Sequence, residues 1–460
     1  MATTFSEAIS RAPLRAFSVL TFAVCMLVLV ADGVDAQLLG IVAPKVIEDF
    51  GVDRGTFGVA MSAALVGFGL GSWGGGWLGD TIGRRYSLAF AALVFSLATI
   101  AASWSEGSEI LTFGPLSAPQ GVWELALWRL VGGLGFGSAY ANAIALASEW
   151  LPDRWRSVGV TTLSVGTPAG GFVVAAIAPW LVATYGWRGS FVGLGAATLV
   201  VVLLILLLLR DSPSFLLARG RDEVAHQAAR KVLAGDVELA PERIGTEDSG
   251  GIAVGVLDRS NLRLNLGVGL SFAAAALVAY GMLSWTTTML TAQGFSFEQA
   301  SYAVSIGGIT SVIASIAAGV LVRWLGSRAV VLAISAALVA TLVALGWTIE
   351  TLPGTPDAGD VSLVVALVGA AAAIFSAGIA SMYAIMTHAY PPSCRSAGIG
   401  FGIFMGRVGA VAATAFGGSL LDMGQGSVVP FFAVMAFGAV LVSASALIVD
   451  RQVPPAAQRV

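Results

Sequence analysis

Long, predominantly apolar runs constrain this chain more than any other feature. They lie at 17–42, 56–78, 86–105, 123–148, 157–183, 189–209, 264–290, 299–324, 329–349, 361–387, 397–421 and 428–449. A helix of about 20 apolar residues spans the hydrocarbon of a bilayer. Inside that hydrocarbon only helices and closed barrels satisfy their own N–H and C=O groups. These runs are too long and too unalternating for barrel strands. The fold class is therefore an all-α membrane protein with 12 transmembrane helices. Composition agrees, since only 11% of the 460 residues are charged, against roughly a quarter in a soluble domain. The first run starts near Phe17 with no small-residue cleavage site to close it, so it reads as a span and not as a removed signal peptide.

The basic residues set the expected orientation. Of the 24 Lys and Arg, 19 fall on one set of alternating faces, including eight between Arg210 and Arg263. Only Lys45, Arg54 and Arg188 fall on the other, and Arg129 and Arg407 lie inside runs. This asymmetry places both termini and the 210–263 loop in the cytoplasm of a multi-pass protein of the cell inner (plasma) membrane. Trp104, Trp123, Trp150, Trp155 and Trp180, near span ends, read as interfacial anchors. The net charge of −3 offers nothing to nucleic acid. Two cysteines, Cys25 and Cys394, allow no disulfide framework and no CxxC metal pattern. GxxxxGK[ST], HExxH and GxSxG are all missing, which disfavours an ATP-driven pump and a membrane enzyme. No cofactor and no metal are expected.

The sequence repeats itself. LPDRWRSVG at 151–159 matches YPPSCRSAG at 390–398, and GWLGDTIGRR at 76–85 matches GVLVRWLGSR at 319–328, at nearly one offset. The expected organisation is a six-helix half over 1–209, a cytoplasmic linker over 210–263, a second half over 264–449 and a tail over 450–460. RGRDEVAHQAARK in the linker reads as a short amphipathic helix, and GTEDSGG as a flexible stretch. Duplicated halves with a site between them are the architecture of secondary transporters.

Asp32 and Asp35 sit within the first run, in LVLVADGVDAQLLG. Each carboxylate at a helix centre costs about 2.5–3.5 kcal/mol on insertion scales. Three residues apart, they share one helix face. Two acids close together in a low-dielectric site repel, which favours holding a proton on one of them, as proton coupling requires. Arg129 is the natural counter-charge, with a planar fork matched to a carboxylate. Phe136 and Tyr140 follow it along one stripe, and the fork with its rings suits an aromatic acid. The expected mechanism has protonation free Arg129 from its internal partner to bind substrate. Arg407 in FMGRVGA needs a partner and reads as a second substrate contact or gate. Tyr280, Trp285 and Tyr383 are candidate ring-stacking residues, and His388 a candidate polar contact near the end of its span.

Several motifs resemble the major facilitator superfamily. GGWLGDTIGRRYSL resembles its signature between helices 2 and 3, through Gly76, Leu78, Asp80, Gly83, Arg84 and Arg85. RLVGGLG resembles its helix 4 signature in proton-coupled members, and RDSPSFLLARGR the end of helix 6 in several branches. ADGVD is similar to the helix 1 motif of the aromatic acid:proton symporters, with Val34 in place of the usual aromatic. The resemblance implies the major facilitator superfamily fold, with two pseudo-symmetric six-helix halves. It implies a monomer that imports an aromatic carboxylate with protons. By the same resemblance Asp80, Arg84 and Arg85 form a cytoplasmic latch, which Glu149 and Arg156 could complete, and Arg395 is also functional. Two rival readings remain. One is a proton-coupled antiporter, for which SVGTPAGG in helix 5 is a faint sign. The other is a receptor that senses aromatics without moving them.

Overall fold

In a computed structural model, the chain is described over residues 3–10, 12–113, 116–163, 165–233, 239–240, 258–352, 354–390 and 394–455, with the side chains of 113, 116, 157, 161 and 395–397 outside that description. A short helix α1 (Phe5–Ser10) leads into α2 (Ala16–Phe50), α3 (Arg54–Ile82), α4 (Arg84–Ala102), α5 (Gln120–Glu149), α6 (Asp153–Leu163) and α7 (Gly166–Leu208). After α8 (Pro213–Ala218) and α9 (Asp222–Ala229) come α10 (Leu262–Ala292), α11 (Phe297–Leu325), α12 (Ser327–Glu350), α13 (Ala358–Ala389), α14 (Arg395–Met423) and α15 (Val429–Ala446).

Eleven of these helices are long and apolar enough to cross a membrane. Twelve crossings result because α7, at 43 residues, is two. Its length of about 65 Å is twice a hydrocarbon core, and it breaks at Gly186, where φ is 67° and ψ 179°. Glycine carries that positive φ without strain. The fifth crossing is formed by α6, which is described to Leu163, and the first part of α7, described from Gly166, with Val165 between them in helical φ/ψ of −77° and −16°.

The two halves use the same packing pairs. In the first half α3 lies on α5, α2 on α7 and α4 on α7; in the second, α11 lies on α13, α10 on α14 and α12 on α15. Between the halves, α3 meets α14, α7 meets α11 and α2 meets α10. These contacts concentrate at one end of the bundle, where Asp422 closes α14. A single apolar core joins the halves there, with Leu38, Val42 and Phe57 from one and Trp285, Leu342 and Phe431 from the other. At the opposite end, where Asp80 lies, the described residues form separate cores. One holds Phe95, Leu146 and Ile205 of the first half, another Phe272, Met386 and Tyr390 of the second. The bundle is shut at the Asp422 end and parted at the Asp80 end.

Several connections depart from the sequence reading. The connection before α5 carries a hairpin, β2 (Ile110–Phe113) on β3 (Leu116–Pro119), and the Trp123 indole donates to the Leu111 carbonyl at 3.1 Å. A two-residue strand β1 (Thr3–Thr4) pairs with β4 (Leu239–Ala240) of the linker. The amphipathic helix read in RGRDEVAHQAARK is α9; with α8 and α1 it packs under the first half through Leu216, Ala225, Ala228, Phe5 and Ile9. GTEDSGG lies outside the described residues. Trp150 is not an interfacial anchor. It is fully buried, with Phe5 and Phe17 edge-on at 5.6 and 4.8 Å, because α1 folds beneath it. Cys25 and Cys394 are both free and buried.

Candidate functional site

Near the middle of α2, Asp32 and Asp35 have different surroundings although both are buried. Asp35 is fully engaged. Its Oδ2 accepts from Arg129 Nη1 at 2.6 Å, its Oδ1 from the Thr99 hydroxyl of α4, and its backbone carbonyl from Arg129 Nη2 at 3.2 Å. The pair is almost inaccessible to solvent, with side-chain exposures of 3% for Arg129 and 5% for Asp35. Such an ion pair is costly to break from either side, since the survivor is left as an uncompensated buried charge. The guanidinium also lies over Phe136, whose own ring stacks obliquely on Phe95 at 4.6 Å. Arg129 therefore binds α5 to α2 and does not present its fork to the opening.

Asp32 is held more loosely. Its Oδ2 accepts from the Thr167 hydroxyl of α7 at 3.1 Å, while its Oδ1 is buried without a hydrogen-bond partner among the described residues. Arg407, Asp35, Arg129 and Tyr140 are the charged and titratable groups within its electrostatic reach.

Among the described residues Arg407 of α14 forms no ion pair; it donates to the Tyr280 hydroxyl at 2.8 Å, and its guanidinium carbon lies 3.9 Å from the ring centroid of Phe68 of α3. Tyr140 and Tyr383 also face it electrostatically. Tyr140 sits 6.0 Å from Phe68, and Tyr383 lies edge-on to Phe272 at 5.2 Å. A half-buried guanidinium ringed by aromatic side chains from both halves is a ready carboxylate receptor with ring-stacking walls. Trp285 is not part of it. Its indole is fully buried in the joint core, against the bare backbone of Gly417 and Gly418. His388 is exposed in the last turn of α13.

At the Asp80 end, Arg84 bonds Asp80 at 2.6 Å and reaches Glu149 of α5 at 3.6 Å. Arg156 does not join them; it pairs with Asp153 at 2.8 Å and donates to the Ser148 carbonyl. Arg85 donates through its side chain to the Leu206 carbonyl, and its backbone N–H caps Asp211 at 2.8 Å. Burial pushes the Asp211 carboxyl up, against the pull of that N–H and of Arg85 and Arg221. Gly83 has φ 99°, and a side chain there would strike Asp211. Gly76 faces open space. The glycines that admit α5 are Gly75, where a Cβ would meet Ser138, and Gly79, where it would meet the Asn142 oxygen at 2.0 Å. The side chain of Arg395 lies outside the described residues.

Phe68, Thr99, Thr167 and Asp211 escape a sequence reading. Thr99 and Thr167 carry no charge, and Phe68 is one of 23 phenylalanines. Only their meeting with Asp35, Asp32 and Arg407 across helices distinguishes them. Asp211 had a local signal, because it sits in the RDSPSFLLARGR motif.

Two like six-helix bundles that meet at one end, with ionisable groups gathered where they part, define a membrane transporter and not an enzyme. The sequence pattern of the Major Facilitator Superfamily matches residues 25–377, and the chain belongs to that family. Among its relatives, the 4-hydroxybenzoate transporter PcaK of Pseudomonas aeruginosa is 27% identical, covering 90% of this chain and 89% of that one. The gallate transporter of Pseudomonas putida is also 27% identical, covering 91% and 89%. The 3-(3-hydroxy-phenyl)propionate transporter of Escherichia coli is 27% identical, covering 89% and 88%. The inward open xylose transporter XylE of E. coli superposes with a TM-score of 0.70 at 18% identity, covering 94% and 96%.

Proposed function

We propose that the protein imports an aromatic carboxylate together with protons, by alternating access. The observation that carries this reading is Arg407, a half-buried guanidinium without a carboxylate partner among the described residues, set among Phe68, Tyr140, Tyr280 and Tyr383. The substrate carboxylate docks on Arg407 and its ring lies against those aromatics. The carboxylate fork passes from Arg129, where the sequence placed it, to Arg407, because Asp35 already occupies Arg129. Asp32, with one unpaired oxygen, carries the exchanged proton. The relatives support the substrate class, since 4-hydroxybenzoate, gallate and 3-(3-hydroxyphenyl)propionate all pair an aromatic ring with a carboxylate. The basic-residue asymmetry supports a cytoplasmic Asp80 end, and then the parted face opens inward. Asp80, Arg84 and Glu149 form the latch on that side.

Uptake into proteoliposomes with an acid exterior tests this, over benzoate, 4-hydroxybenzoate, phenylpropionates and dicarboxylates. Wild type accumulates an aromatic acid, Asp32→Asn does not, and Arg407→Gln raises KM for the acid. Unchanged KM in Arg407→Gln, or accumulation by Asp32→Asn, overturns the reading. Asp35→Asn should instead cost about 3–5 kcal/mol of stability by leaving Arg129 unpaired. Loss of preloaded acid under the same gradient would favour the antiporter reading, and binding without flux the receptor reading.

A further inference from the structure

We infer that Thr167 is a positioning residue for proton coupling, which directs the exchanged proton to Oδ1 of Asp32. This rests on the reading of Asp32 as the proton carrier. The geometry begins at the start of α7, where Thr167 occupies the second position of the helix. Its hydroxyl is free to turn sideways onto α2, and it donates to Asp32 Oδ2 at 3.1 Å.

The placement is rigid. The α2 and α7 backbones touch on both sides of this bond. A Cβ on Gly33 would lie 2.0 Å from the Thr167 carbonyl oxygen, and one on Gly170 would lie 2.1 Å from that of Val30. The two backbones are in direct contact at both glycines, which sets the hydroxyl at this height along α2. A donor fixed on Oδ2 makes that oxygen the acceptor. The other oxygen, buried and without a partner among the described residues, is where a proton can sit without displacing a bond. In the neutral acid Oδ2 is then the carbonyl and Oδ1 the hydroxyl. The groups facing Asp32 are Asp35 on its own helix, Arg129 and Tyr140 on α5, Arg407 on α14 and Thr167 on α7. Among the described residues, only Thr167 hydrogen-bonds the carboxylate.

Infrared difference spectra of the purified protein between acid and alkaline pH read the neutral carboxyl C=O stretch directly. One band should vanish in Asp32→Asn. In Thr167→Val that band should move to higher wavenumber, because its carbonyl has lost a donor, and in Thr167→Ser it should stay in place. Uptake by Thr167→Val should show a displaced pH dependence while counterflow at fixed pH persists, and Thr167→Ser should restore the wild-type profile. An unmoved band and unmoved profile in Thr167→Val overturn the inference while Asp32 remains the carrier. If no band is lost in Asp32→Asn, the carrier reading itself fails.

Discussion

The same two helices, α3 and α14, are fused at one end and separated at the other. At the Asp422 end their backbones touch. A Cβ on Gly58 would lie 2.2 Å from the Ala415 carbonyl oxygen, and one on Gly418 2.1 Å from that of Arg54. Asp422 accepts from the Gly55 N–H at 2.9 Å and sits 3.8 Å from the Arg54 guanidinium. At the Asp80 end, Gly69 and Gly76 of α3 and Gly400 of α14 have nothing within reach, and Phe404 of α14 is 63% exposed. Gly58, Gly69 and Gly76 lie within about 20° of one another around α3, so small residues recur on that face past the point where contact stops. The difference teaches that the open end is a seam waiting for its other side, built like the closed one.

The helices run antiparallel. Counting eleven residues on from Gly58 and eleven back from Ala415 therefore brings Gly69 opposite Phe404, a hole opposite a knob. The largest expected effect follows from this register. In a background lacking Cys25 and Cys394, a Gly69→Cys/Phe404→Cys pair should cross-link under oxidation during turnover and abolish transport, reversibly with reductant. A disulfide needs Cα atoms within about 7 Å, so cross-linking only at residues out of this register would break the comparison.

Gly58→Trp should come next. The ring cannot fit against Ala415, so the Asp422 end is held apart and net transport falls to a small remnant. Labelling of cysteines lining the Asp422 end should rise and labelling near Asp80 should fall. Unchanged labelling would mean that the seam yields more easily than its backbone contacts imply. The smallest effect concerns Asp53, which caps α3 through the Thr56 N–H at 2.7 Å. Burial raises its carboxyl, but the bonds from the Thr56 hydroxyl and N–H outweigh this and hold it below the usual carboxylate range. Its contribution is thus present above the ordinary Asp value and lost as pH falls through the lowered one. Thermal unfolding of Asp53→Asn should depend less on pH in that acid window than wild type, by at most a few degrees, roughly the worth of one exposed cap.

Most of the fold was legible because the bilayer permits so few solutions. Runs of spanning length had to be helices, and the repeated LPDRWRSVG and YPPSCRSAG segments exposed the duplication. The close approach of α7 to α2 at Gly33 and Gly170 was not legible, since Gly166, Pro168 and Gly170 do not say which helix they face. At the site, the Asp35–Arg129 pair could be foreseen because opposite charges in oil must meet. Which acid would take the arginine could not, because Thr99 and Thr167 decide it from other helices. The phase of α3 was also hidden: Gly76 stood in the motif, yet Gly75 and Gly79 face α5.

Main-chain contact at Gly58 and Gly418, clasped by the Asp422 side chain, makes the shut seam between α3 and α14. Enlarging either glycine jams it, so at those two positions the stroke of the machine is poorly tunable by point substitution. The aromatic walls around Arg407 are the opposite: Phe68, Tyr140 and Tyr383 can each be resized without touching a backbone contact of that seam. An engineer wanting a new cargo should redraw those walls and leave the glycines alone.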